Sequence, residues 1–380
     1  MSSRAHAWVA HLRQGGTTPW LAWSGETSAA PTRALPGAQQ LELLRRINVA
    51  LESSAQPRGY QHRERTRLAD RVLAAPAAGR GKADLPLIGL DSDGPGFGPR
   101  PVDPEHVSAH EMLRVASVLL ADDLVALGPD PVQTSWARPW RRRFRLVGDP
   151  VTAAVLREHL LSVGRPEGGP RPFLVAVGGP LDELLARTWT QRCFETGTKP
   201  FAEWLRFWRE RDQLPARADL IASVRRWSAR RPFARIVTDR DRLPRQLGVR
   251  HLPEVRVPGA DEAELARRVA AVVGLRVPAA ERPALMRTLQ RRMPDSGAAP
   301  VVVPAREQEW VADSAARMGR NIARAGYPVV GDLADLAPRA ATSADGAAPA
   351  GAGDQQVLHL AIRMVVDPGW RTSGTRGVEQ

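Results

Sequence analysis

The sequence predicts an α/β fold, a mostly parallel sheet flanked by helices in three layers, behind a mainly helical N-terminal region. Three observations carry that expectation. From Arg141 onward, short apolar runs such as "FRLVG", "PFLVAVG" and "ARIVTD" alternate with segments of helical spacing, the signature of βαβ units. The runs are apolar at successive positions, so both faces of each strand are expected to be covered, as in parallel sheets. Residues 1–140 instead show helical spacing and long irregular connections.

Taken in order, "LPGAQQLELLRRINVAL" puts Leu41, Leu44, Ile47 and Leu51 on one helical face and leaves Gln39, Gln40, Arg45 and Arg46 for a polar one. "DPEHVSAHEMLRVASVLLADDLVAL" gives a longer helix with a start signal at Asp103 and Pro104, and the Gly- and Pro-dense stretch before it reads as a loop. The strand "FRLVG" leads into a helix opened by Asp149 and Pro150 and closed by Gly164. "PFLVAVG" follows, then helices in "PLDELLARTWTQRCF", "KPFAEWLRFWRERD" and "ADLIASVRRWSARR", then "ARIVTD". "EVRVPG" reads as a further strand, "DEAELARRVAAVVGL" and "REQEWVADSAARMGRNIARAG" as helices. Residues 339–353 have linker composition, and "QQVLHLAIRMVV" is an ordered element of open type. The expected division is therefore 1–140, mainly helical; 141–338, α/β; and 339–380, linker plus a short terminal element.

The formal charge of +13 invites a nucleic-acid partner. It is carried almost wholly by Arg, with Lys82 and Lys199 the only lysines, and a high-GC codon bias of the actinobacterial kind gives the same composition. Charge alone argues about encounter and solubility, not function. No apolar run of ~18 residues predicts a membrane span. The N-terminus does not read as a signal peptide, so a cytoplasmic location is expected. Cys193 is the single cysteine and the eight His are scattered without an HExxH, so no metal site and no required cofactor is predicted. No G-x-S-x-G elbow is present either.

Two stretches resemble phosphate loops. "RQGGTTPWLAW" has the small residues, but a helical pattern precedes it and no Lys follows, so it reads as a helix end at Gly15 and Gly16 with a new helix beginning near Thr18 and Pro19, and Trp20 and Trp23 packing inward. "FRLVGDPVTAAVLREHL" has the required strand, turn and helix, with Gly148 at the turn, yet Asp149 stands where a phosphate would want a cation. Any anion held there would meet Thr152 and the free N–H groups of the helix start.

The strand ends supply the other candidates. Asp182 and Asp239 follow two successive strands at the C-terminal edge where open α/β sheets bind ligands, and could converge on one crevice; in a divergent group-transferase Asp182 or Asp239 would be the base and Arg187 the anion contact. An ordinary turn with carboxylates on the first helical turn competes with that. In "WARPWRRRFR", Trp136, Trp140, Arg141, Arg142 and Arg143 alternate as single-strand-binding surfaces do, or else form an Arg-rich edge leading into a strand or a patch gripping the N-terminal region. Phe201, Trp204 and Trp208 lie at helical spacing and read as core.

The segments "VGGPLDELLARTWTQRCFETGTKPFAEWL", "EVRVPGADEAELARRVAAVVGL" and "EWVADSAARMGRNIARAGYPVVGDLADLAP" resemble actinobacterial proteins related to P-loop sulfotransferases, over residues 141–338. The resemblance implies a sulfotransferase-like sheet and, in members that transfer sulfate, a Gly-rich loop with Lys and Thr that holds the donor PAPS. Here the matching stretch, "LVGDPVTAAVL", has no Lys. The leading expectation is a non-catalytic binding or scaffold protein with a decayed nucleotide loop. The alternatives are a divergent sulfotransferase or other group-transferase acting on a hydroxyl, with PAPS as cofactor in the first case, and a nucleic-acid-binding protein. A protein partner stays open.

Overall fold

The computed structural model describes residues 2–20, 22–23, 37–53, 62–79, 84–87, 99–131, 136, 138, 140–169, 172–227, 234–339, 352–367 and 369–371. In chain order its helices and strands are α1 (Ser2–Arg13), α2 (Ala38–Ser53), α3 (His62–Ala74), α4 (Ala109–Leu127), β1 (Phe144–Gly148), α5 (Pro150–Ser162), β2 (Phe173–Val177) and α6 (Leu181–Cys193). There follow α7 (Phe201–Arg209), α8 (Leu220–Trp227), β3 (Ala234–Val237), α9 (Leu243–Leu247), α10 (Ala260–Arg276), α11 (Arg282–Arg292), α12 (Gln308–Ala325), β4 (Val329–Val330) and α13 (Asp354–Val366). No helix among the described residues is long and apolar enough to cross a membrane.

The chain folds as two compact units. The first comprises Met1–Pro129, Leu265–Ser296 and Gly353–Gln380; the second comprises Asp130–Glu264 and Gly297–Ala352. The sequence pattern sets residues 339–380 apart and keeps 265–296 with the sheet, whereas the structure draws α11 and α13 onto α4 in the first unit. The reason is apolar surface. Helix α4 buries Met112, Leu113, Val115, Ala116, Leu119, Leu120 and Leu124, more than one flank of a helix, and α13 answers with Val357, Leu358, Ala361, Met364 and Val365. Ion pairs and caps fix α13: Arg268 holds Asp354 at 2.6 Å, and the Trp370 indole donates to the Met364 carbonyl at 2.7 Å.

Helix α2 departs from its expected polar face. Gln39 and Gln40 are fully buried, because their amides satisfy backbone groups of neighbouring segments: Gln39 accepts from the Leu85 N–H and Gln40 donates to the Ala75 carbonyl. Arg45 and Arg46 of that expected face are half-buried, both drawn to the buried Glu42 at 2.8 and 2.9 Å.

In the second unit four parallel strands pair in the order β1-β2-β3-β4, with Gly148 opposite Val177 and Val177 opposite Val237. This is the predicted α/β sheet with flanking helices. Phe144, Leu146, Phe173, Val175, Val177 and Val237 point to one face and pack with Ala153, Leu156 and Leu160 of α5 and Leu243 and Leu247 of α9. The opposite face meets α8, where the Arg145 guanidinium lies 3.9 Å over the Trp227 ring. Because both faces are covered, β2 is buried at every position.

One expectation is corrected. "EVRVPG" forms no strand among the described residues: Pro253 precedes it and Pro258 lies within it, and neither supplies a ladder donor. The fourth strand is instead the short β4, paired with β3 at Ile236 and Val237. The helix expected to begin near Thr18 falls largely outside the described residues; within them the Trp23 N–H reaches the Pro19 carbonyl at 3.1 Å. "QQVLHLAIRMVV" is settled as helix α13.

Candidate functional site

The first phosphate-like stretch is structural. The N–H groups of Gly15 and Gly16 bond back to the carbonyls of Leu12 and His11, a Schellman end to α1, with Gly15 at φ +94°. Thr18 then ties to α1 through its carbonyl, 2.9 Å from the Trp8 indole nitrogen, and its hydroxyl, 3.1 Å from His11 Nε2. Trp20 and Trp23 are half-buried beside Trp8 and His11, as expected.

The second stretch has the geometry of an anion site and is already filled. Gly148 turns the chain at φ +89°, and a Cβ there would lie 2.2 Å from the Val177 carbonyl oxygen, so only glycine fits. Asp149 caps α5, fully buried, its Oδ1 accepting from the N–H groups of Val151 and Thr152 at 3.1 and 3.2 Å. Its Oδ2 accepts from the Thr152 hydroxyl at 2.7 Å, Arg187 Nη1 at 2.5 Å and Arg240 Nη2 at 3.1 Å. The groups that a helix start offers a phosphate, and two guanidinium groups besides, are thus engaged by the chain's own carboxylate.

Glu183 continues this cluster. It meets Arg187 at 2.8 Å, one turn along α6, Arg240 at 3.6 Å and Arg339 at 2.9 Å. Two carboxylates are thereby shared among three guanidinium groups at the carboxyl ends of β1, β2 and β3. Among the described strands the order does not reverse between β1 and β4, so no reversal crevice opens between them.

The structure brings Gly148, Thr152 and Arg187 together as the sequence suggests, around Asp149. Asp182 and Asp239 do not make the contact between their strand ends; Glu183 and Arg240, the residues after each, do. Asp239 caps the short turn 240–242 and pairs with Arg242 at 2.9 Å. Asp182 is half-buried, and its Oδ1 is buried without a hydrogen-bond partner. Burial pushes its carboxyl above the ordinary aspartate range, against the N–H groups of Glu183 and Arg339, which favour the charged form. Glu183, Arg240 and Arg339 are site residues that sequence reasoning misses. The i, i+4 spacing of Glu183 and Arg187 is a legible signal for the first; the other two join through the fold alone.

The Trp/Arg segment is a surface. Trp136 and Trp140 are 94% and 79% exposed. The Arg138 N–H donates to the Gly164 carbonyl at 2.9 Å and the Arg141 guanidinium to the Val163 carbonyl at 3.2 Å, which pins the segment to the end of α5. Trp136, Arg138, Arg141, Ser162, Val163 and Gly164 line an open depression of about 410 Å³. Arg142 lies 4.1 Å over the Phe173 ring. Phe201 and Trp204 are core, as read, whereas Trp208 is half-buried. Among the described residues, no group of three His, Cys, Asp or Glu is placed to hold a metal ion.

The site defines an α/β protein whose strand-end anion position is closed by an internal ion-pair cluster. No family model, curated protein or solved structure matches the chain.

Proposed function

We propose that the chain is a non-catalytic binding or scaffold protein with a sulfotransferase-like sheet whose nucleotide loop has been converted into a structural clasp. One observation carries the reading. The fully buried Asp149 carboxylate occupies the α5 start and both nearby guanidinium groups, so a phosphate entering there would have to displace a covalently tethered anion. The residues do not fit PAPS: the loop has no Lys, and Asp149 would repel the donor. A cytoplasmic setting accords with the composition.

A thermal-shift titration with adenosine 3′,5′-bisphosphate tests this, since a ligand selective for the folded state raises its stability by mass action. No shift up to millimolar ligand is the expected result. A saturable rise overturns it.

A second reading, group transfer to a hydroxyl acceptor, is favoured by Asp182 alone, whose raised pKa and unpartnered oxygen suit a general base. It requires that Asp182→Asn abolish turnover of a hydroxyl substrate while leaving its binding intact.

A further inference from the structure

Carboxylates meet most of the guanidinium groups described above, and one surface breaks that pattern. Arg138, Arg141, Arg142, Arg143, Arg145 and Arg165 gather around the entry to β1, and among the described residues none of the six forms an ion pair. Their partners are carbonyls and rings: Arg141 donates to Val163, Arg165 to the carbonyls of Arg142 and Leu247, and Arg142, Arg145 and Arg165 lie over Phe173, Trp227 and Phe144. Glu167, which bridges to Phe144 at this edge, is taken by Arg157 at 2.7 Å. Burial, and then repulsion from Arg141 and Arg142, pushes the Arg165 guanidinium below its ordinary range. An uncompensated positive field therefore stands beside two indoles left almost wholly in water.

We propose that this face binds single-stranded nucleic acid, with exposed arginines on the phosphates and Trp136 and Trp140 stacked on bases. A guanidinium fork matches a phosphate, and a positive groove with exposed aromatic rings accepts bases that are not already stacked in a duplex. An acidic peptide would satisfy the arginines and leave both indoles idle. The inference names a partner for the binding-protein reading and rests on it.

The test is fluorescence anisotropy of a labelled oligodeoxythymidylate of about 12 nucleotides, within the site sizes such surfaces cover, measured across a salt series. Affinity should fall steeply with salt, and combining Arg141→Ala, Arg142→Ala and Arg143→Ala should make the slope of log K against log salt shallower by about 2, at ~0.7 for each phosphate no longer neutralised. Trp136→Ala and Trp140→Ala should each weaken binding about tenfold with the slope kept. All five side chains are half-buried or exposed, so circular dichroism melts should be unchanged. No binding at low salt, equal affinity for a hairpin duplex or a polyglutamate peptide, or tryptophan variants that bind like the parent would each overturn the proposal. Binding of adenosine 3′,5′-bisphosphate at the Asp149 end would survive the triple arginine change, so failure of the two readings is told apart.

Discussion

Arg187 and Asp149 meet at 2.5 Å, the carboxylate fully buried and the guanidinium 12% exposed. The contact ties α6 to the start of α5, and it matters because a carboxylate removed from water must be held by several donors at once. Asp149 has five: two backbone N–H groups, one hydroxyl and two guanidinium groups.

Removing that carboxylate should therefore cost more than an ordinary cap. Asp149→Ala is expected to destabilise the protein by about 3 kcal/mol, because it orphans buried donors and guanidinium groups together. Asp149→Asn keeps an acceptor for the α5 N–H groups and should cost less. Urea unfolding checks both, as a lower midpoint at unchanged slope.

Gly148→Ala should be as damaging without touching a charge. The backbone is at φ +89° and the new methyl would lie 2.2 Å from the Val177 carbonyl oxygen, so β1 and β2 would have to part. Strain and overpacking together are expected to cost about 3 kcal/mol, read as a drop in midpoint in the same unfolding experiment.

Asp182 gives a pH signature. Burial raises its folded pKa above the unfolded value, so the folded chain keeps this proton more readily than the unfolded chain does. The contribution to stability is then full below the unfolded pKa and is lost as pH rises through the folded one. Asp182→Asn should be more stable than the parent at pH 7, with the difference closing towards about pH 4, the ordinary aspartate range. Melting temperatures of both proteins across that interval decide it; a gap that widens on acidification would contradict the assignment.

Helix α13 should be part of the first unit's core. Leu358 is 1% exposed, and Leu358→Ala is expected to cost about 3 kcal/mol. Hydrogen exchange should show faster opening of α4, which α13 covers, with the sheet of the second unit less affected.

Local spacing makes the strands legible. β1, β2 and β3 announce themselves as short apolar runs between turn residues, and Asp149-Pro150 announces the start of α5. The clasp is half legible: Asp149 stands out as misplaced for a ligand, while its partner Arg240 lies 91 residues away and no periodicity links them. Asp182 and Asp239 mark the right strand ends, and the contact between those ends is made by the residue after each, Glu183 and Arg240. Along a helical turn one position swings a side chain by ~100°, so which neighbour faces the centre is decided by packing. α13 is ambiguous in sequence because a short apolar run fits a helix or a buried strand equally, until α4 supplies the surface that selects the helix.

The first unit is assembled from three stretches of chain, with the sheet unit and its strand crossovers translated between them. During synthesis, at ~5 to 20 residues per second, α4 emerges long before the helix that covers it. For much of that interval its apolar flank has no permanent cover, while the sheet region is free to fold. The nascent protein is thus expected to be a chaperone client through its N-terminal part, released when α13 clears the ribosome and closes the core from behind.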